Sequence, residues 1–149
     1  MRISIFGMGY VGAVCAGCLA NRGHSVIGVD ISDIKVDLIN AGKSPIVEPG
    51  LDDLLRKGVA AERIRATTNT AEAIFDSDLS MICVGTPSLR NGDLDLRFVE
   101  NVVREIGAVL REKRDWHTIV VRSTVLPGTV NGFIIPLLEQ SSGKRAGID

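Results

Sequence analysis

The most constraining feature of the chain is the run Gly7-Met8-Gly9-Tyr10-Val11-Gly12. It stands directly behind the apolar stretch Arg2 to Phe6 and in front of a stretch with helical periodicity. A G-x-G-x-x-G pattern alone recurs by chance, but between a strand and a helix it meets the requirements of a phosphate-binding turn. The first glycine permits a turn too tight for a side chain. The second leaves room for a pyrophosphate to approach the backbone, and the third lets the helix pack closely on the strand. The exposed N–H groups and the positive end of the helix then attract the phosphates. Asp30 closes the second strand-like run, 18 residues after Gly12, near the spacing of about 20 expected for a carboxylate that binds ribose hydroxyls. A carboxylate there also opposes a 2′-phosphate, since two unit charges about 4 Å apart repel by about 4 kcal/mol at an effective dielectric near 20. No arginine follows Asp30 directly, so NAD is favoured over NADP, and Lys35 stands within reach of the ribose edge. On the residues alone, ordinary turns with a helix-capping Asp30 remain open, as does a flavin or another adenine nucleotide in the same cradle.

The rest of the pattern repeats strand and helix in turn. Further strands are expected at Ser25–Asp30, Ile64–Thr67, Leu79–Val84 and Thr118–Arg122. Val11–Arg22 reads as a helix with Val11, Val14, Cys15, Cys18 and Leu19 on its packing stripe, stopped by Gly23. Ser32 is placed to cap a helix through Asn40, and a Pro/Gly loop from Gly42 to Gly50 leads into Leu51–Lys57. Thr70 is expected to cap Ala71–Phe75, Asp95 to cap a long helix to about Lys113, and a last helix covers Thr129–Gln140. Apolar strands each followed by a helix imply an α/β, doubly wound, mainly parallel sheet covered on both faces, the Rossmann arrangement. The 149 residues suit one domain, residues 1–149. Ile148-Asp149 is expected to open a further strand, which fits the first domain of a longer protein, because such sheets often reach about six strands.

Composition removes several function classes. Seventeen basic and 18 acidic residues leave a net charge of −1, which argues against a broad nucleic-acid or membrane footprint. The apolar runs fall short of the ~20 residues a bilayer needs, and the N-terminus lacks the layout of a signal peptide. Three cysteines make no full disulfide framework; the cytoplasm is the expected compartment. Cys15-Ala16-Gly17-Cys18 spells C-x-x-C, but without a second pair it makes no tetrahedral metal site. Cys15, Cys18 and Cys83 are read as buried core thiols, His24 and His117 as surface histidines, and Asp93 and Asp95 as loop and cap residues rather than metal ligands. Two loops at the carboxyl ends of later strands look specialised: Val84-Gly85-Thr86-Pro87 and Ser123 to Thr129. Thr86 offers a hydroxyl on the first, and the hydroxyls of the second are placed to meet the nicotinamide half of the cofactor, although turn chemistry alone accounts for the same residue types.

Taken in order, IFGMGYVG (Ile5–Gly12), VIGVD (Val26–Asp30), EPGL (Glu48–Leu51), CVGTP (Cys83–Pro87) and RSTVLPGT (Arg122–Thr129) resemble the UDP-glucose/GDP-mannose dehydrogenase family over nearly the whole chain. SPIVEPGL (Ser44–Leu51) and NGDLDL (Asn91–Leu96) look closest to its GDP-mannose-oxidising members; relatives acting on UDP-glucose usually carry an aromatic where this chain has Val47. The resemblance implies a four-electron oxidation of a sugar C6 alcohol to a carboxylate by two NAD molecules in succession, through a cysteine thiohemiacetal and thioester. It implies cofactor contacts at Tyr10, Val11, Asp30, Lys35, Thr86 and Thr124, with Thr124 also near the water-handling part of the active centre. It further implies a nucleotide-sugar substrate and a homo-oligomer associating through a central helix. The family's catalytic cysteine, its N-P-E-F-L-R-E glutamate and its lysine match nothing in this chain, so no catalytic residue is assigned to it beyond a supporting Thr124. The rival reading from another class is a free-standing regulatory nucleotide-binding module, similar to the cytosolic gating domains of potassium transport systems.

Overall fold

Residues 1–148 of the chain are described by the computed structural model; Asp149, and with it half of the expected last strand, lies outside them. Strand β1 (Arg2–Phe6) is buried from Ile3 onward, as a central parallel strand must be when helices cover both faces. Around it, β2 (Ser25–Val29), β3 (Ile64–Thr67), β4 (Leu79–Ile82) and β5 (Thr118–Val121) assemble in the order β3-β2-β1-β4-β5. Every pairing is parallel, with Phe6 beside Val29 on one side and Ile82 on the other. The chain order reverses beside β1, which places the crevice between the loops after β1, β2 and β4.

The helices are α1 (Tyr10–Asn21), α2 (Asp33–Asn40), α3 (Leu51–Ala60), α4 (Thr70–Phe75), α5 (Arg97–Leu110) and α6 (Ile135–Ser142), the last entered through a π-helical turn at Val130–Ile134. Strand residues alternate between two cores. Ile3, Ile5, Val26 and Ile64 pack with α1, α2 and α3, while Phe6, Ile27, Val29 and Ile82 pack with α4, α5 and α6. The α/β doubly wound expectation is met. No helix among the described residues is long and apolar enough to cross a membrane, and no cluster of metal-ligating side chains occurs among them.

Several local expectations are corrected. The buried face of α1 is Gly12, Ala13, Ala16, Gly17 and Ala20, not the larger residues; Val14, Cys15 and Leu19 are half-buried, and Val11 and Cys18 are exposed. Small residues win the inner face because the neighbours are close: a Cβ on Gly17 would lie 3.1 Å from Leu54 and 3.2 Å from Leu51. Asn69, not Thr70, caps α4, accepting the Glu72 N–H at 3.1 Å. The long helix stops at Leu110, and its cap position is Leu96; Asp95 instead accepts the Arg97 N–H at 3.1 Å and grips the Arg97 guanidinium. Ile148 closes a turn, donating to the Arg145 carbonyl at 3.1 Å.

His117 is the largest departure, for it is buried rather than on the surface. Its Nδ1 accepts from Lys113 Nζ at 3.1 Å, which leaves Nε2 to donate to Ser80 Oγ at 2.8 Å. Ser80 continues to Ser4 at 2.7 Å, and Ser4 to Ser77 at 3.0 Å. Lys113 also donates to the Ile74 carbonyl at 2.6 Å and to the Ser77 carbonyl, closing the free end of α4. Burial, followed by the Lys113 charge, pushes His117 down to about 4. The unfolded chain, with a histidine near its ordinary value of about 6.5, therefore binds the extra proton first. Stability is unaffected above pH ~6.5 and falls as pH drops toward ~4, by up to about 3 kcal/mol. His117→Gln should flatten that part of the stability profile, measured by denaturant unfolding across the window, while wild type keeps the slope.

Candidate functional site

The glycine turn is built from three different constraints. Gly7 has φ +95°, and a Cβ there would lie 3.0 Å from both Val84 N and Val84 Cγ1. Its N–H donates to the Val29 carbonyl at 2.8 Å, so the chain leaves β1 across the end of β2. A Cβ on Gly12 would lie 1.9 Å from the Gly7 carbonyl oxygen. The helix is thus packed on the turn itself, and also on β1, where Ile5 Cγ2 would be 3.4 Å away. Gly9 differs: its φ is −82°, and nothing lies within 4 Å of where its Cβ would be. No contact within the protein demands glycine at 9; a side chain there would enter open cleft. That is the space a closely approaching ligand requires.

Gly9 is also the cap position of α1. It supplies no side-chain hydrogen bond, and the first turn of α1 carries no acidic residue. The next four helices each have one: Asp33, Asp52 with Asp53, Glu72 and Glu100. The leading N–H groups of any helix lack partners inside it, and those of α1 carry a partial positive charge unanswered by a carboxylate on that helix.

Asp30 follows β2 and is buried. Its Oδ2 accepts the Met8 N–H at 2.8 Å and Lys35 Nζ at 3.1 Å, and its Oδ1 accepts the Ser32 N–H at 3.0 Å. One carboxylate thereby joins the glycine turn to the start of α2. Ser32 occupies the cap position of α2 but makes no side-chain cap bond; the Asp30 carboxylate answers its N–H instead. Gly7, Gly9, Asp30 and Lys35 line one cleft of about 340 Å³, with Gly85 and Phe98 among its other walls. Tyr10 and Val11 open α1 and are exposed.

Thr86 and Thr124 stand on the loops after β4 and β5, outside the lining of that cleft. The Thr86 hydroxyl donates to the Thr124 carbonyl at 2.7 Å, and Ser123 Oγ donates to the Val84 carbonyl at 2.6 Å. These two hydroxyls fasten the loops to each other. The sequence also gave no sign that Ile31, Thr68, Thr70, Asn101 and Glu105 share the cleft, since their elements meet only through the crossovers. Phe98, one of the apolar residues at helical spacing in α5, is half-exposed and lies off the buried stripe of that helix. Burial pushes the Cys83 thiol up to about 12, with Cys15 beside it. A thiol held neutral in this way is unsuited to act as a nucleophile.

An open glycine over an unanswered helix start, with a carboxylate at the end of the adjacent strand, defines a dinucleotide-binding domain of the doubly wound α/β type. The match to known proteins is closer than that class. Residues 1–149 match the model of the UDP-glucose/GDP-mannose dehydrogenase family, NAD binding domain. The chain is 70% identical over 149 residues to a GDP-mannose 6-dehydrogenase of Pseudomonas syringae pv. tomato, covering 100% of itself and 34% of that protein. Its fold superposes with a TM-score of 0.98 on a ternary complex of GDP-mannose dehydrogenase from Pseudomonas aeruginosa, at 66% identity, covering 100% of this chain and 34% of that one. A UDP-glucose dehydrogenase from Pyrobaculum islandicum gives a TM-score of 0.92 at 38% identity, over 97% of this chain and 33% of that one. The chain belongs to the UDP-glucose/GDP-mannose dehydrogenase family as its NAD-binding domain, and it spans about a third of the length of the curated relatives it matches.

The two close glycines are separable by experiment. Gly12→Ala places a methyl group on a backbone oxygen and should destabilise the fold by about 3 kcal/mol. Gly9→Ala should leave the melting temperature close to wild type. Thermal unfolding of the two variants side by side checks the contrast.

Proposed function

We propose that this chain is the cofactor-binding part of an NAD-dependent nucleotide-sugar 6-dehydrogenase that oxidises the C6 alcohol of GDP-mannose to the carboxylate of GDP-mannuronate. The names of the relatives support the reaction and the sugar nucleotide. The observation that carries the binding half is the open space over Gly9 at the bare start of α1. The N–H groups of Tyr10 and Val11 would hold the pyrophosphate there, with Gly7 and Gly12 shaping the turn. Asp30 accepts hydrogen bonds from the adenosine ribose diol, and Lys35, already 3.1 Å from that carboxylate, contacts its edge. Thr86 and Thr124, fastened together, form the rim toward the nicotinamide. NAD, when bound, supplies the hydride acceptor.

The catalytic groups are not in this chain, except that Thr124 supports the reacting centre. Cys83 is buried with its thiol held neutral, and Cys15 and Cys18 belong to α1 rather than to the cleft wall. The whole protein works in the cytoplasm as a homo-oligomer, a reading consistent with three free thiols. A second nucleotide-sugar assignment, UDP-glucose, is less favoured because exposed Val47 stands where those relatives carry an aromatic.

Calorimetric titration tests the site. Gly9→Val should abolish NAD binding while the chain stays folded; unchanged affinity would sink the assignment. Asp30→Ala should weaken NAD by roughly tenfold to a hundredfold, the worth of a charged hydrogen bond, and narrow the preference over NADP. Because Asp30 also holds the Met8 and Ser32 N–H groups on its two separate oxygens, the comparison with Asp30→Asn, which keeps one acceptor oxygen and loses the charge, is made at matched melting temperature. The chain by itself should bind NAD without steady NADH production from GDP-mannose; sustained turnover would refute the placement of catalysis elsewhere.

A further inference from the structure

Tyr10, the first residue of α1, makes a side-chain contact that the cradle does not explain. Its hydroxyl donates to Glu48 Oε2 at 2.6 Å, between residues 38 apart in sequence. Glu48 is set by its own loop. The Leu51 N–H donates to the Glu48 carbonyl at 3.2 Å, and Gly50 has φ 80° and ψ −8°. With Pro49 before it, that is a type II turn, which needs glycine at its third position. The far side of the loop is closed by the Ser44 N–H on Asp52 Oδ1 at 2.7 Å and by Ser44 Oγ on the Ile46 carbonyl at 2.6 Å. The turn leads into α3, whose Leu51 and Leu54 pack against Gly17 of α1. The backbone that carries Glu48 is therefore fixed, and Tyr10, 57% exposed, is the larger side chain that the contact restrains.

We propose that Glu48 is a positioning residue for cofactor binding: by accepting the Tyr10 hydroxyl, it holds the ring clear of the opening above Gly9 and pre-organises the start of α1 for the pyrophosphate. This rests on the NAD reading given above. Tyr10 carries the largest side chain on the turn, and the residue before it has nothing within 4 Å of its Cβ position. An unrestrained ring samples several staggered rotamers. Those that cover the opening compete with the ligand, and freezing such a side chain at binding lowers affinity by roughly two- to tenfold. The hydrogen bond settles the ring beforehand. It also gives the Glu48 carboxylate a partner other than the N–H groups the phosphates need. The same bond raises the Tyr10 phenol above its ordinary value.

Tyr10 is the only tyrosine of the chain, so phenol absorbance in an alkaline titration reads it alone. NAD affinity by calorimetry would be compared for wild type, Tyr10→Phe, Glu48→Ala, Glu48→Gln and the double variant Tyr10→Phe/Glu48→Ala. Glu48→Ala and Tyr10→Phe should each weaken NAD by roughly three- to tenfold, the worth of one hydrogen bond. Glu48→Gln, which still offers an acceptor, should recover most of the loss. The double variant should be no weaker than either single one, because one interaction is being removed. The Tyr10 ionisation midpoint should fall in Glu48→Ala. Unchanged NAD affinity in Glu48→Ala and Tyr10→Phe, or fully additive losses, would overturn the proposal while leaving NAD binding by wild type intact. Failure of wild type to bind NAD would overturn both readings. Should Glu48→Ala not fold, Tyr10→Phe against Glu48→Gln carries the same comparison: weakened against near wild type.

Discussion

The Asp30 carboxylate is the contact on which the arrangement of the cofactor end depends. It is buried at the end of β2, and its hydrogen bonds reach three separate pieces of chain: the glycine turn at Met8, the entry to α2 at Ser32, and Lys35 within that helix. Backbone N–H groups left without an acceptor at a buried site cost about 1–3 kcal/mol each. One residue removes two such penalties, and so fixes the glycine turn relative to the neighbouring strand. The position that favours a ribose diol is the position that holds the cradle in shape.

Around that contact, close approach is achieved by withholding side chains. Gly7 lets the backbone pass Val84, Gly12 lets α1 rest on the Gly7 carbonyl, and Gly17 lets α3 rest on α1. The second and third lie on one face of a helix whose inner surface is otherwise alanine. Tight backbone packing of this kind makes the turn a rigid receptor rather than a loop that closes on its ligand. The loops after β4 and β5 follow the same economy of motion, since Ser123 and Thr86 bind main-chain carbonyls of the neighbouring loop.

The order of strands and helices was legible because parallel strands buried on both faces are continuous apolar runs, and because the glycine turn has a spacing set by phosphate geometry. Features that depend on which partner is nearest were not legible. The apolar stripe of α1 pointed to Val11 and Cys18, yet the inner face went to glycine and alanine, because the spacing of α1 to α3 is set by both helices. His117 looked like a turn residue beside Trp116; its burial follows from Ser80 on β4 and from Lys113, four residues before it in the same connection. Asn69 and Thr70 are both capable caps, and one residue of backbone phase decided between them. In the site, Gly7, Gly9, Asp30 and Lys35 were placed in one cleft from sequence, whereas the far wall at Phe98 and Glu105 depended on how α5 crosses the sheet.

The short helix α4 ties the two ends of the molecule together. Six residues are too few to stay helical unaided, and α4 is clamped by Asn69 in front and by Lys113 on the Ile74 carbonyl behind. Its first residue, Thr70, belongs to the wall of the cofactor cleft, and its last turn leans on the histidine-serine chain beneath the sheet. A single turn and a half of backbone thus separates the buried ammonium from the ligand-facing wall. Hydrogen exchange at α4 amides would register disturbances from either pole of the domain, making this segment a natural strain gauge for the whole fold.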